Sequence, residues 1–208
     1  MIELPKECVV DKFIPKKIFY EKVSLSTNLK QEFVDKLDKI YWKYKISEDT
    51  LNISKTENVE EIEIFELTLK EKVNCQSIIK VITRNIPYII LFEICYNDEV
   101  QYAIKHNDDI YFTNWNEKID FNFNGLDLNI VYENIIRSVT NISEQSNNID
   151  KELEKGKKLK EVQKEIERLE NKMKAEKQFN KKVELNKNIL ELKKQKEELS
   201  NNEEWRNT

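Results

Sequence analysis

Five glutamates stand out in two short strand-like stretches: Glu60, Glu61, Glu63 and Glu66 in "VEEIEIFELTL", and Glu93 in "YIILFEICY". Carboxylates on adjacent strands are what a divalent-metal nuclease needs. They hold the metal, and a lysine two residues further on steadies the charge that develops on the phosphate. Here the residue two beyond Glu66 is Thr68 and two beyond Glu93 is Cys95, so the E-x-K pattern fails twice. The five acids are then expected to form a solvent-facing acidic edge. A divergent metal-dependent nuclease is kept as the enzymatic alternative. The single histidine, His106, has no Cys or acidic cluster at ligand spacing and makes a poor metal ligand or base. Two glycines in the chain cannot supply a phosphate-cradling GxxxxGK loop or a dinucleotide-binding GxGxxG. No catalytic residue, metal ligand or cofactor site is assigned, and the expectation leans away from an enzyme.

A second group of residues suggests binding. Lys172, Lys174, Lys177, Lys181, Lys182 and Lys187 cluster around "KAEKQFNKKVELN", residues 174–186. Set across phosphates, they would make a salt-dependent contact blind to sequence. Gln178 and Asn180 can hydrogen-bond to bases, backbone or protein, with Phe179 between them. The plainer alternative is that Gln178 and Asn180 cap helices and the lysines are solvated. In the body of the chain Trp115, in "YFTNWN", is the best candidate for an exposed ring that stacks on single-stranded bases. Most of the other aromatics fall at core periods.

The elements that must position these residues follow from pattern. The opening "LPKECVVDKFIPKKIFY" is predicted to be extended, with a short helix from Lys16. "LSTNLKQEFVDKLDKIYWKYKIS" is predicted to be one amphipathic helix, capped by Ser26 or Thr27. Its apolar residues Leu29, Phe33, Leu37, Ile40, Tyr41 and Tyr44 recur at helical spacing. A strand follows in "EEIEIFELTLKEK", where Ile62, Ile64, Leu67 and Leu69 are apolar, with a change of face at Phe65. A helix then carries Ile78, Ile79, Ile82 and Ile86, opened by Asn74 and stopped by Pro87. Three strands come next, "YIILFEICY", "VQYAIKH" and "IYFTNW", joined at Asn-Asp turns. A helix from Asp127 closes the body. The fold class is α+β, a small antiparallel-rich mixed sheet with packed helices, ending in a C-terminal helical hairpin or coiled coil. The division is expected at 1–148 for the body and 149–208 for the charged tail.

In the tail, apolar positions run 159, 162, 166, 169, 173 and then 185, 189, 192, 199, with Lys196 interrupting. Each set is a coiled-coil type seam. The twelve-residue step from Met173 to Leu185 fits neither heptad nor eleven-residue continuation. A turn over 176–182 resolves this: two antiparallel helices face each other, Phe179 covers the seam's end, and Asn180 takes the left-handed position. A continuous helix that dimerises or docks on a partner is the alternative. The segment resembles the C-terminal helical arm of valyl-tRNA synthetases, over this stretch only.

Charge supports the division. The chain carries a net −4, with 36% charged residues. From Asp150 onward there are 17 Lys and Arg against 14 Asp and Glu. A basic segment on an acidic body attracts nucleic acid or an acidic partner. Three cysteines without metal-like spacing, and a first segment broken by Glu3 and Glu7, point to reduced thiols in the cytoplasm. No apolar run approaches the length of a membrane span.

Several stretches together resemble a bacterial family known only as a domain of unknown function, number 4391. They are "LPK" at 4–6, "IPKKIFY" at 14–20, "IYWKYKIS" at 40–47, "IEIFELTLKEK" at 62–72, "IPYIILFE" at 86–93 and the tail "KAEKQFNKKVELN". The resemblance brings no catalytic residues. It implies an α+β body with a charged helical tail and a setting near helicases and DNA methyltransferases of restriction-like or phage-defence systems. The expectation is therefore an accessory protein that docks on a larger helicase or DNA methyltransferase, with a weak nucleic-acid contact through the tail. A structural module that only oligomerises through the tail is the third reading.

Overall fold

The computed structural model of the chain describes residues 2–21, 25–143 and 148–201. Two compact units are present, Met1–Asn141 and Ile142–Thr208.

The first unit is built on six strands: β1 (Val9–Phe13), β2 (Leu37–Ile46), β3 (Ile62–Leu69), β4 (Ile89–Tyr96), β5 (Glu99–His106) and β6 (Asp109–Phe112). They lie side by side in chain order. All neighbours are antiparallel except β3 and β4, which run parallel. A parallel neighbour cannot be reached by a tight turn, and helix α4 (Gln76–Asn85) makes the crossover. The other helices of the unit are α1 (Lys17–Glu21), α2 (Thr27–Asp35), the single-turn α3 (Glu48–Leu51) and α5 (Leu128–Thr140).

Strands β3 and β4 are the most apolar because both their faces are covered. Phe65, Leu67, Phe92 and Ile94 pack into one core with Phe33 of α2 and Ile78, Ile79 and Ile82 of α4. Strand alternation sends Ile62, Ile64 and Leu91 to the opposite side, where they are also fully buried. Helix α5 runs along β5 and β6 and buries Leu128, Val131, Ile135 and Ile136. At Phe65 β3 keeps its register with β4, from Ile62 to Thr68, while on its other edge the register with β2 shifts between Trp42 and Tyr44, opposite Phe65 and Ile64.

One predicted element is corrected. The helix expected over residues 27–47 ends at Asp35, and Leu37–Ile46 is strand β2. Leu37, Ile40 and Tyr44 do fall at helical spacing. The run "IYWKY", however, is rich in β-branched and aromatic side chains, and β2 has a partner on each edge. Its backbone groups are satisfied by β1 and β3, and that outweighs a weak local helical pattern. Ser26 caps α2, accepting from the Leu29 amide, and Asp127 caps α5, accepting from Ile130; the cap position of α4 is Cys75 rather than Asn74, which accepts the Gln76 amide from one residue earlier. Asn97 and Asn107 take the left-handed backbone in the turns around β5.

The second unit is a hairpin of α6 (Ile149–Ala175) and α7 (Phe179–Asn201). No helix among the described residues is long and apolar enough to cross a membrane.

Candidate functional site

The hairpin closes on the two predicted seams. Val162, Ile166, Leu169 and Met173 of α6 meet Leu185, Ile189 and Leu192 of α7. The helices are antiparallel, and polar pairs set their register: Lys193 Nζ bonds Glu170 Oε1 at 2.8 Å, and Lys196 Nζ donates to Gln163 Oε1 at 2.8 Å. The second bond explains how a lysine is tolerated at a seam position: its charged head finds an acceptor on the facing helix.

The turn is shorter than predicted. Only Glu176, Lys177 and Gln178 link the helices, and α7 already begins at Phe179. Two expectations change with it. Asn180 lies inside α7 and has no left-handed backbone. Phe179 does not cover the seam; it is 77% exposed. The chain turns without Gly because Glu176 takes over the role of a cap. Its Oε1 accepts the amides of Lys177 and Gln178 at 2.8 and 2.9 Å, and these bonds hold its carboxyl below the usual carboxylate range.

Lys172, Lys174, Lys177 and Lys181 are exposed at this tip, Lys182 is half-buried, and Lys187 stands exposed one turn and a half further along α7. Lys187 has an exposed pair with Glu191 at 4.0 Å, a contact worth little. The side chains of Lys177 and Lys182 have no hydrogen bond or ion pair among the described residues. An open groove beside the tip mixes signs: Arg168, Lys172 and Lys181 line it with Glu165, Glu176 and Glu184. The basic character is therefore concentrated at the turn. Val183 and Leu190 are also exposed on α7; sequence reasoning passes over both, although their seven-residue spacing is readable.

Trp115 belongs to the sheet unit. It is half-buried against the main core, and the Lys72 ammonium sits 5.1 Å from its ring centroid. One side of the ring is thus already occupied by a cation, unlike an open stacking platform.

The acidic strand edge is corrected. Glu63 and Glu93 are buried, 4% and 3% exposed, while Glu60 is exposed and Glu61 and Glu66 are half-buried. Glu66 and Glu93 lie in register on β3 and β4. Burial pushes the Glu93 carboxyl up, against the hydroxyl of Tyr102, which donates to it at 3.2 Å. Burial, with Glu61 beside it, pushes Glu63 up to about 7. Lys43, the cation whose charge reaches Glu66, has its Nζ on Asp11 at 2.9 Å. Among the described residues no group of three His, Cys, Asp or Glu is placed to hold a metal ion. His106 Nδ1 meets the Tyr132 hydroxyl at 2.9 Å. Cys75 and Cys95 are pushed by burial up to about 12, so neither is a thiolate nucleophile at neutral pH.

No curated protein and no solved structure matches the chain. A family model described as a domain of unknown function (DUF4391) matches residues 2–196, nearly the whole of both units, and the chain belongs to that family.

Proposed function

We propose that this protein is a non-catalytic accessory subunit of a DNA restriction, modification or phage-defence system. It docks on a larger DNA-handling enzyme, a helicase or DNA methyltransferase, and its hairpin tip contacts nucleic acid. The observation that carries this reading is the tip itself. The hairpin satisfies its own seam, yet gathers lysines without firm acidic partners around its turn. From Lys172 to Lys187 six lysines stand with two acids, Glu176 and Glu184, whereas the rest of the two helices carries the signs in balance.

The test is co-purification of the tagged full-length protein from its native host, with and without nuclease treatment. The expected result is a helicase or methyltransferase that survives nuclease, with DNA lost on charge reversal at Lys177, Lys181 and Lys182. With six lysines as the upper bound on phosphate contacts, affinity for duplex DNA should fall by up to about a thousandfold between 50 and 200 mM salt. Recovery of the protein alone would reject the accessory reading.

A second reading has one observation in its favour, the register of Glu66 and Glu93 on neighbouring strands. It makes the chain a divergent nuclease. Magnesium- or manganese-dependent cleavage, lost in Glu66→Ala, is its test; no cleavage under either metal rejects it.

A further inference from the structure

Helix α7 carries two seams, and α6 fills one of them. Leu185, Ile189 and Leu192, stepping 4 and 3, close on α6. Phe179, Val183, Asn186 and Leu190 step 4, 3 and 4. At about 100° per residue these four lie within about 60° of one another and about 120° from the filled seam. Phe179, Val183 and Leu190 are 77%, 54% and 59% exposed. A solvated helix face has no reason to align its apolar residues. A face that meets another helix does, and the 4-3-4 step is the spacing of such a meeting.

The aliphatic members argue against nucleic acid as the occupant. Val183 and Leu190 have no ring on which a base can stack, and a stacking surface would repeat aromatics. The flanking positions then select among proteins. In heptad geometry Lys182 precedes the second seam on one side, and Asn180 and Lys187 follow it on the other. None of these is acidic. Two copies paired in parallel would set Lys182 of one against Lys187 of the other. Paired antiparallel about the middle of the seam, they would set Lys187 against Asn180 and Lys182 against Ile189, with no opposite charges meeting. Like charges disfavour the parallel pair, and neither orientation of a second copy offers the lysines an acidic partner.

We infer that the outer face of α7 is a docking seam for an amphipathic helix of a partner protein, apolar along its centre and acidic along its flanks. Phe179 to Leu190 spans about 17 Å, so the occupant contributes about three turns. The inference rests on the accessory reading and names the surface and the partner chemistry for it.

The experiment uses the full chain and defined probes. One is a synthetic helical peptide of about three heptads, with leucine at seam positions and glutamate at the flanks. A second peptide has lysine at the flanks. The third probe is a single-stranded oligonucleotide. Fluorescence anisotropy should show the glutamate peptide binding at least about tenfold tighter than the lysine peptide. Phe179→Ala with Leu190→Ala should weaken it by about tenfold or more, and Lys182→Glu with Lys187→Glu should reverse the preference. Circular dichroism should show the helices of both double variants intact.

The inference is overturned if the peptides bind alike, or if the variants leave binding unchanged. It is also overturned if the oligonucleotide binds and is lost with Phe179 and Leu190, or if sedimentation shows a dimer that the same pair dissolves. Running Phe179→Ala with Leu190→Ala through the native co-purification separates the two proposals. A helicase or methyltransferase retained by that variant leaves the accessory reading standing and removes the seam. A wild-type protein that recovers no such enzyme, yet binds the glutamate peptide, does the reverse.

Discussion

Phe92 and Ile189 are both almost wholly buried, but by different means. Around Phe92 the core is drawn from α2, α4 and strands far apart in the chain, and the opposite face of the sheet is covered as well. Around Ile189 it comes from one neighbouring helix across a three-residue link. The sheet unit is held by contacts of long sequence separation, so it forms and fails as a whole. The hairpin is held by a single seam of local contacts, and its remaining surface is charged apart from the exposed Phe179, Val183 and Leu190. A site that must be both precise and dry belongs to the first kind of structure. A surface that must be basic and accessible is more cheaply built on the second.

The largest effect should come from cutting the sheet core. Phe92→Ala should cost about 3–5 kcal/mol and lower the main transition in chemical denaturation. Ile189→Ala should cost about 2–4 kcal/mol, confined to the hairpin, visible as helix loss by circular dichroism while the sheet transition stays in place. If both substitutions move a single transition equally, the two units are one cooperative structure and the contrast fails.

The buried Glu63 tests the dryness of the sheet unit. Its folded pKa, raised to about 7, lies above its unfolded value. Its contribution is therefore fully present below about pH 4.5 and lost as pH rises through 7. Glu63→Gln, neutral throughout, should match the wild type near pH 4 and be more stable by about 3 kcal/mol at pH 8. A stability difference that does not change with pH would mean that Glu63 is solvated. The smallest effect is expected at the hairpin's polar seam position. Lys196→Leu extends the apolar contact beyond Leu192 and should raise hairpin stability by about 1 kcal/mol, read from the midpoint of the helical signal.

Much of the fold was legible. Local chemistry sufficed where it decides structure: Ser26 and Asp127 opened helices, Asn97 and Asn107 turned hairpins, and Pro87 followed the end of α4. The bend in the tail was also readable, because an apolar seam that changes face cannot stay in contact with one straight partner. The turn's detail was not, since Glu176 replaced the Gly or left-handed Asn that such turns often use.

The sequence by itself determined membership of the family, the α+β class, the two seams of the hairpin and the basic character of its tip. All of these are periodicities, compositions or short-range signals. Only the tertiary structure decided that Leu37–Ile46 is a strand, since its two neighbours had to be in place to satisfy its backbone. It alone decided that Glu63 and Glu93 are buried, since their cover comes from chain distant in sequence. It alone left Phe179, Val183 and Leu190 uncovered. A residue's type and spacing state what it can pack against; which surfaces remain open is settled only when every other element has taken its place.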